Sequence, residues 1–167
     1  MNSSGCAGYG GGGGGGNGNC VAHPAATGTP VGILLNGENP VSAPPYGNVV
    51  GYFLGTSPNA PNGSNVVNLV ANTNVQFINF DTAGGFGPHT ASNLGAWTGS
   101  FPGTFTNSNG ATASPAGTQI TSANFSSGAV GPGTASAIYN SGGPGMFVFG
   151  CAFHYMSKNM RTVVIVH

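Results

Sequence analysis

Residues 145–166, GMFVFGCAFHYMSKNMRTVVIV, consist of two strand-like runs that flank a short loop rich in potential metal ligands. The first run is aromatic and the last is β-branched, and both compositions are typical of β-strands. Between them lie Cys151, His154, Met156 and Met160. A strand that ends at a cysteine and returns after a tight loop can aim a thiolate and an imidazole at one point. The pattern therefore predicts a strand–loop–strand unit with sulfur and nitrogen ligands at one end.

The composition indicates a β protein rich in turns. Of 167 residues, 32 are glycine and 12 are proline, and only 2% are charged, against about 25% in an average soluble domain. Apolar runs consist of Val, Ile, Phe and Tyr, and no helical periodicity of useful length occurs. The formal net charge of +0 gives no electrostatic basis for binding nucleic acid or an anionic membrane surface. No apolar run approaches the ~20 residues of a membrane-spanning helix.

Strand patterns separated by turn residues predict seven to nine short strands, which favours a two-sheet sandwich. The stronger patterns cover residues 30–37, 48–55, 65–72, 74–81, 145–153 and 160–167, and weaker ones cover 99–106, 118–125 and 134–140. The segment 82–124 is expected to be rich in surface loops. These strands belong to one predicted domain, residues 29–167.

Residues 1–28 are predicted to form a glycine-rich N-terminal tether or extension, because the run GYGGGGGGGNGN offers no side chains to bury. The sequence SSGC before it resembles the cleavage-site end of a bacterial lipoprotein signal, which predicts a possible lipid anchor at Cys6. A disulfide between Cys6 and Cys20 is the alternative. Three cysteines are an odd number, so Cys151 is expected to stay free. His23, near the tether, is interpreted as an ordinary histidine because no strand returns to it.

A third strong ligand for the terminal cluster is supplied by His89, within NFDTAGGFGPHTASN. Two imidazoles and a thiolate in a trigonal array, with a long thioether contact, form a blue-copper site. Thiolate binds copper in both oxidation states, thioether favours the cuprous ion, and imidazole suits either. The sequence therefore predicts one copper ion, Cu+ or Cu2+, as cofactor.

Residues 29–167 resemble the cupredoxins, of the plastocyanin, amicyanin and auracyanin kind. Two blocks carry the resemblance: FINFDTAGGFGPHTAS, with the first histidine in a loop after a strand, and residues 125–166, with an aromatic strand, Cys-x-x-His, a short loop, Met and a last strand. The resemblance implies a two-sheet Greek-key β-sandwich. It also implies His89, Cys151 and His154 as equatorial copper ligands.

The same resemblance implies an axial methionine, and Met160 is favoured over Met156. Met156 follows His154 after a single residue, which leaves too little chain to turn back. Met160 directly precedes the last strand, where the resemblance requires the methionine. The glycine that often follows two residues later is Thr162 here, and the loop is longer than in the named relatives.

Several expectations concern the surroundings of the copper site. The amide of Thr90 is expected to donate to the ligand sulfur, a ligand histidine is expected to hydrogen-bond through its other ring nitrogen, and Asn79 or Asn93 is expected to tie the two ligand loops together. The apolar collar around His154 is expected to consist of Gly85, Phe86, Gly87, Pro88, Phe153 and Tyr155.

The resemblance implies a carrier of single electrons, not an enzyme, between extracytoplasmic redox proteins that dock near His154. The alternative is a structural surface or filament-forming subunit, with or without copper, that forms a homo-oligomer through its N-terminal tail. Lys158 and Arg161, the only basic residues, lie beside the predicted site.

Other chemistries have little basis in the sequence. Structural zinc requires a fourth strong donor, and no second cysteine or acid lies near the terminal cluster. Asp81 and Glu38 are the only carboxylates, and neither a GxSxG motif nor a phosphate-binding loop occurs.

Overall fold

Short strands dominate the protein, in agreement with its Val-, Ile- and Phe-rich runs. The computed structural model describes residues 26–56, 66–111 and 114–167. Its strands are β1 (Thr29–Ile33), β2 (Val41–Ser42), β3 (Asn48–Val49), β4 (Tyr52–Leu54), β5 (Val67–Leu69), β6 (Asn74–Asn79), β7 (Ser92–Ala96), β8 (Pro115–Ala116), β9 (Ser126–Ser127), β10 (Ala135–Asn140), β11 (Gly145–Gly150) and β12 (Arg161–Val166). Two single-turn helices, α1 (Ser108–Ala111) and α2 (Tyr155–Lys158), lie between strands. No helix in these ranges has the length and apolar character needed to cross a bilayer.

The strands form two main sheets. One contains four strands in the order β10-β6-β1-β4, and the other contains six in the order β5-β12-β11-β7-β9-β8. A two-stranded ribbon pairs β2 with β3. From β4 to β7 the chain changes sheet repeatedly, and it does so again from β10 to β11, as in Greek-key sandwiches. The predicted all-β sandwich is confirmed.

The core lies between the two sheets. Both contribute buried side chains to a single cluster, which includes Val31, Ile33, Tyr52, Val75 and Phe77 from the four-stranded sheet and Val67, Leu69, Phe149, Val164 and Val166 from the six-stranded sheet. The rings of Phe77 and Phe149 stack across the interface with centroids 6.4 Å apart. Cys151 and Met160 belong to the same cluster, so the ligand-bearing end of the hairpin is packed into the core.

The sequence patterns fail in the long segment 82–124. It contains β7, an inner strand that pairs with β11 and β9. The sequence of β7, SNLGA, has low strand propensity, and its strand conformation depends on backbone bonds to both neighbours. The predicted strands at 99–106 and 118–125 are wrong, because the structure has no strand in either range. In the second range Ile120 and Phe125 are buried, and Gln119 forms an isolated bridge with Asn140, so the apolar pattern marks burial and one bridge but no strand.

A further difference occurs at residues 48–55, where the predicted single strand is divided into β3 and β4 around Gly51, which has φ +95°.

Residues 1–25 of the predicted N-terminal tether, including Cys6, Cys20 and His23, lie outside the described residues. The first described residues lie on the four-stranded sheet. Ala26 packs against a second apolar cluster there, and the amide of Thr27 donates to the side-chain oxygen of Gln76 at 3.1 Å.

Candidate metal centre

Cys151 is positioned by the end of β11. Its side chain is fully buried and its thiol is free. The amide of Cys151 donates to the carbonyl of Met160 at 3.1 Å, which continues the β11–β12 ladder by one step. The carbonyl of Cys151 accepts the amides of His154 (3.2 Å) and Tyr155 (2.8 Å). This turn folds the chain back immediately after the strand, so that His154 comes to lie beside the thiol.

The loop between Cys151 and β12 is closed by α2. His154 is the N-cap residue of this helix, and Asn159 at its C-cap adopts the left-handed conformation, with φ 54°. Asparagine tolerates this conformation better than most residues. The reversal returns Met160 to a position opposite Cys151, as the sequence predicts for a methionine directly before the last strand.

His89 reaches the same place from the segment that leads into β7, the neighbour of β11 in the sheet. It follows β6 and forms an isolated bridge with Val130, whose amide donates to the His89 carbonyl at 2.8 Å and whose carbonyl accepts the His89 amide at 3.1 Å. His89 is fully buried. Backbone pairing with Val130 therefore fixes the position of His89, three residues ahead of the first residue of β7.

The three predicted equatorial side chains converge. Cys151 Sγ lies 3.7 Å from His89 Nδ1 and 3.6 Å from His154 Nδ1, and the two Nδ1 atoms lie 3.1 Å apart. Among the described residues, this is the group of His, Cys and acidic side chains whose ligand atoms are close enough to hold one ion.

This triangle fits a first-row metal ion. Its circumradius is about 2.0 Å, which is the usual metal–nitrogen distance for imidazole. A thiolate ligand at about 2.3 Å needs only a few tenths of an ångström of adjustment. One soft sulfur and two imidazoles in a trigonal plane form the donor set expected for copper in an electron-transfer site.

Asp81 completes the surroundings of His89, and the sequence reading missed its role. Its Oδ2 lies 2.5 Å from His89 Nε2, and both side chains are fully buried. Asp81 therefore supplies the partner expected for the far nitrogen of a ligand histidine. It binds the ring on the side away from Cys151, so it is not a fourth ligand to the ion. The signal was present in the sequence, since one of only two carboxylates precedes His89 by eight residues in the same loop.

Thr90 joins the two ligand segments. Its amide donates to Cys151 Sγ at 3.4 Å, as expected, and its Oγ1 accepts the amide of Ala152 at 2.9 Å. The buried hydroxyl of Tyr52 donates to the Thr90 carbonyl at 2.5 Å. The hydroxyl belongs to β4 in the opposite sheet, so the ligand loops are tied across the sandwich.

The expected role of Asn79 or Asn93 in joining the two ligand loops is wrong. Asn79 donates to the carbonyls of Gly87 (3.2 Å) and Val130 (2.8 Å), while Asn93 donates to those of Ile120 and Ser122.

Burial and hydrogen bonds oppose one another at the thiol. Burial raises the pKa of Cys151, but hydrogen bonds from His154 and His89 and the charge of His89 outweigh it and lower the pKa to about 6. Burial lowers the pKa of His89, but the hydrogen bond to Asp81 and the interaction with Cys151 raise it to about 9. Each of the two groups therefore favours the charged form of the other.

The two candidate axial residues differ sharply in environment. Met156 lies on α2 with 62% of its surface exposed, whereas Met160 is fully buried in the cluster that contains Cys151. Gly51 packs against Met160 so closely that a Cβ added there would lie 2.5 Å from its Cγ. Met160 is thus held in a fixed position beside the site, and Met156 faces solvent.

His154 connects the site with the surface. It is half-buried, and Phe86 and Phe153 pack edge-on against its ring at centroid distances of 5.6 and 6.3 Å. Phe153 is 42% exposed. Tyr155 is not part of this collar, contrary to expectation, because it is buried beneath Gly150 and donates to the carbonyl of Pro102 at 2.5 Å.

Comparisons with known proteins return solved structures only. No family model matches the chain, and no curated protein matches it. Auracyanin B is 19% identical over 61% of this chain and 76% of its own, with a TM-score of 0.41. A mutant of amicyanin in the reduced Cu(I) form at pH 4 is 12% identical over 86% of both chains, with a TM-score of 0.40.

Both solved structures are cupredoxins, the family that the sequence motifs resemble. At these TM-scores and identities the likeness does not show that this chain belongs to the same family.

Proposed function

We propose that this chain is a blue copper protein of the cupredoxin type that carries single electrons between redox proteins. The observation that supports it is the convergence of one buried thiol and two imidazole Nδ1 atoms on a point about 2.0 Å from each. Bound copper would supply a one-electron couple between Cu+ and Cu2+.

Four side chains would act as ligands of the copper ion. Cys151, His89 and His154 would hold the ion in the equatorial plane, and Met160 would provide the axial thioether. Burial of Cys151, His89 and Met160 supports exclusion of water from the site. Because these side chains are fixed by the ladder, the Val130 bridge and the core, they need little rearrangement when the charge of the site changes.

Electrons would leave through His154, the ligand that is only half-buried. A redox partner would dock on the apolar surface around it, where Phe86, Phe153 and the exposed Met156 lie. Two cations lie beside this surface: the exposed Lys158 has its Nζ 5.1 Å from the centre of the Phe86 ring, and the half-buried Arg161 stacks over Phe101 at 4.5 Å. With so few charges, association should depend little on salt. An extracytoplasmic location is part of this proposal.

The test is a visible spectrum after copper(II) is added to purified protein. We expect an intense thiolate-to-copper band that Cys151→Ser abolishes and that the control variant Cys6→Ser retains. Met160→Leu should change the band, while Met156→Leu should leave it unaltered. A spectrum without the band in wild-type protein would refute the proposal.

The filament-forming alternative is tested on the same sample by its native mass. Discrete particles of the 16.3 kDa chain favour the carrier, and large assemblies favour a structural subunit.

A further inference from the structure

The carboxyl group of Asp81 lies directly behind the His89 ring and is held there by backbone. Oδ1 accepts the amides of Leu35 (3.1 Å) and Asn36 (2.9 Å), and Oδ2 faces His89 Nε2 at 2.5 Å. Asp81 is fully buried. Leu35 and Asn36 follow the end of β1 after one residue, so the carboxyl group is held by the segment that leaves the four-stranded sheet.

These contacts determine which nitrogen of His89 carries the proton. An ionised carboxylate only accepts hydrogen bonds, and all three of its neighbours here are nitrogen atoms that can donate. Nε2 of His89 must therefore carry hydrogen. A ring that binds an ion must be neutral, and its lone pair is then on Nδ1, the atom that faces Cys151 and His154.

The carboxylate also brings a buried negative charge close to the ligand set. Charges interact more strongly in a buried environment than in water, and a carboxylate partner makes a ligand imidazole more basic. Both effects stabilise the more highly charged oxidised ion over the reduced one. The other carboxylate of the chain belongs to Glu38, a half-buried residue of the loop after β1 that lines a cleft together with Phe86 and Lys158. It is not one of the residues close enough together to hold the ion.

We propose that Asp81 is a positioning residue that fixes the tautomer of His89 and makes the reduction potential of the site lower than it would be without the carboxylate. This inference rests on the proposed copper function. Asparagine cannot replace the carboxylate, because its single oxygen can serve either the two backbone amides or His89, but not both. If the asparagine oxygen accepts the two backbone amides, its NH2 group faces His89 Nε2 and donates to it. Nε2 then carries no hydrogen, and the hydrogen of the neutral ring moves to Nδ1, the atom that must bind the ion.

The experiment compares Asp81→Asn with Glu38→Gln, which removes the same formal charge elsewhere. Affinities for Cu+ and Cu2+ are measured separately by chelator competition, and the reduction potential is measured by titration. For Asp81→Asn we expect the Cu2+ affinity to fall at least tenfold more than the Cu+ affinity, which raises the potential by at least about 59 mV. Glu38→Gln should leave both affinities within about twofold of wild type.

A potential that does not rise in Asp81→Asn, or that rises equally in Glu38→Gln, would overturn the inference. Nitrogen NMR of wild-type protein loaded with Cu+ gives a second test that needs no variant. It should show His89 with hydrogen on Nε2 that exchanges slowly with solvent, and hydrogen absent from Nε2 would refute the assignment. Failure of wild-type protein to form the copper band is a different outcome, which refutes the copper function itself.

Discussion

The thiol of Cys151 should titrate far below the usual range in metal-free protein, and this follows from its three hydrogen-bonding neighbours. With a pKa of about 6, the thiol is roughly nine-tenths ionised at pH 7, whereas a thiol at its ordinary pKa of ~8.5 is only a few per cent ionised. Burial alone would move the pKa upward, so a low value requires His154, His89 and the Thr90 amide to be as close as the structure has them.

The assay is ultraviolet absorbance of the thiolate as a function of pH. Cys6→Ser and Cys20→Ser are combined so that Cys151 is the remaining cysteine. One thiolate should appear with a midpoint near pH 6. Removing the imidazole with His154→Ala should raise that midpoint by about one unit or more, because the strongest lowering contact is lost. Met156→Ala, an exposed position in the same loop, serves as the control and should leave the midpoint unchanged.

A midpoint at or above the ordinary value would refute the reasoning, because it would mean that burial dominates and that the imidazoles are not within hydrogen-bonding distance. An unchanged midpoint in His154→Ala would refute the part assigned to that residue.

Two further predictions concern stability and are measured by denaturant unfolding. Tyr52→Phe removes a buried hydroxyl that donates to a backbone carbonyl at 2.5 Å and should lower the free energy of unfolding by about 1–3 kcal/mol. Tyr139→Phe, which removes a hydrogen bond of 3.2 Å, should lower the free energy of unfolding less. The reverse order would contradict the importance given to the Tyr52 hydrogen bond. Gly51→Ala meets Met160 in addition to a φ of +95°, whereas Gly47→Ala, with φ +85°, meets nothing within 4 Å, so Gly51→Ala should be the more destabilising by about 1–3 kcal/mol. Equal losses at the two glycines would show that contact with Met160 does not matter.

The sequence was most informative where residues close in the chain form the structure. The β11–α2–β12 hairpin follows from aromatic and β-branched runs around a short loop, and its residues Cys151, His154 and Met160 lie where the pattern predicts. The all-β sandwich follows in the same way from strand propensity and turn residues. The need for a third nitrogen ligand pointed to His89 in a distant segment, and the resemblance to a known family gave it an equatorial position.

Only the tertiary structure decided the features that depend on partners distant in the chain. Strand β7 has little propensity of its own and forms because it pairs with β11 and β9. Tyr155 reads as a surface aromatic in the sequence, yet it is buried because Gly150 leaves space for its ring. Asp81 reads as an isolated acid, yet it contacts His89 because the loop after β1 supplies two amides that hold its carboxylate. Propensity acts between neighbours in the chain, whereas burial and hydrogen bonding depend on which distant segments the packed sheets bring together.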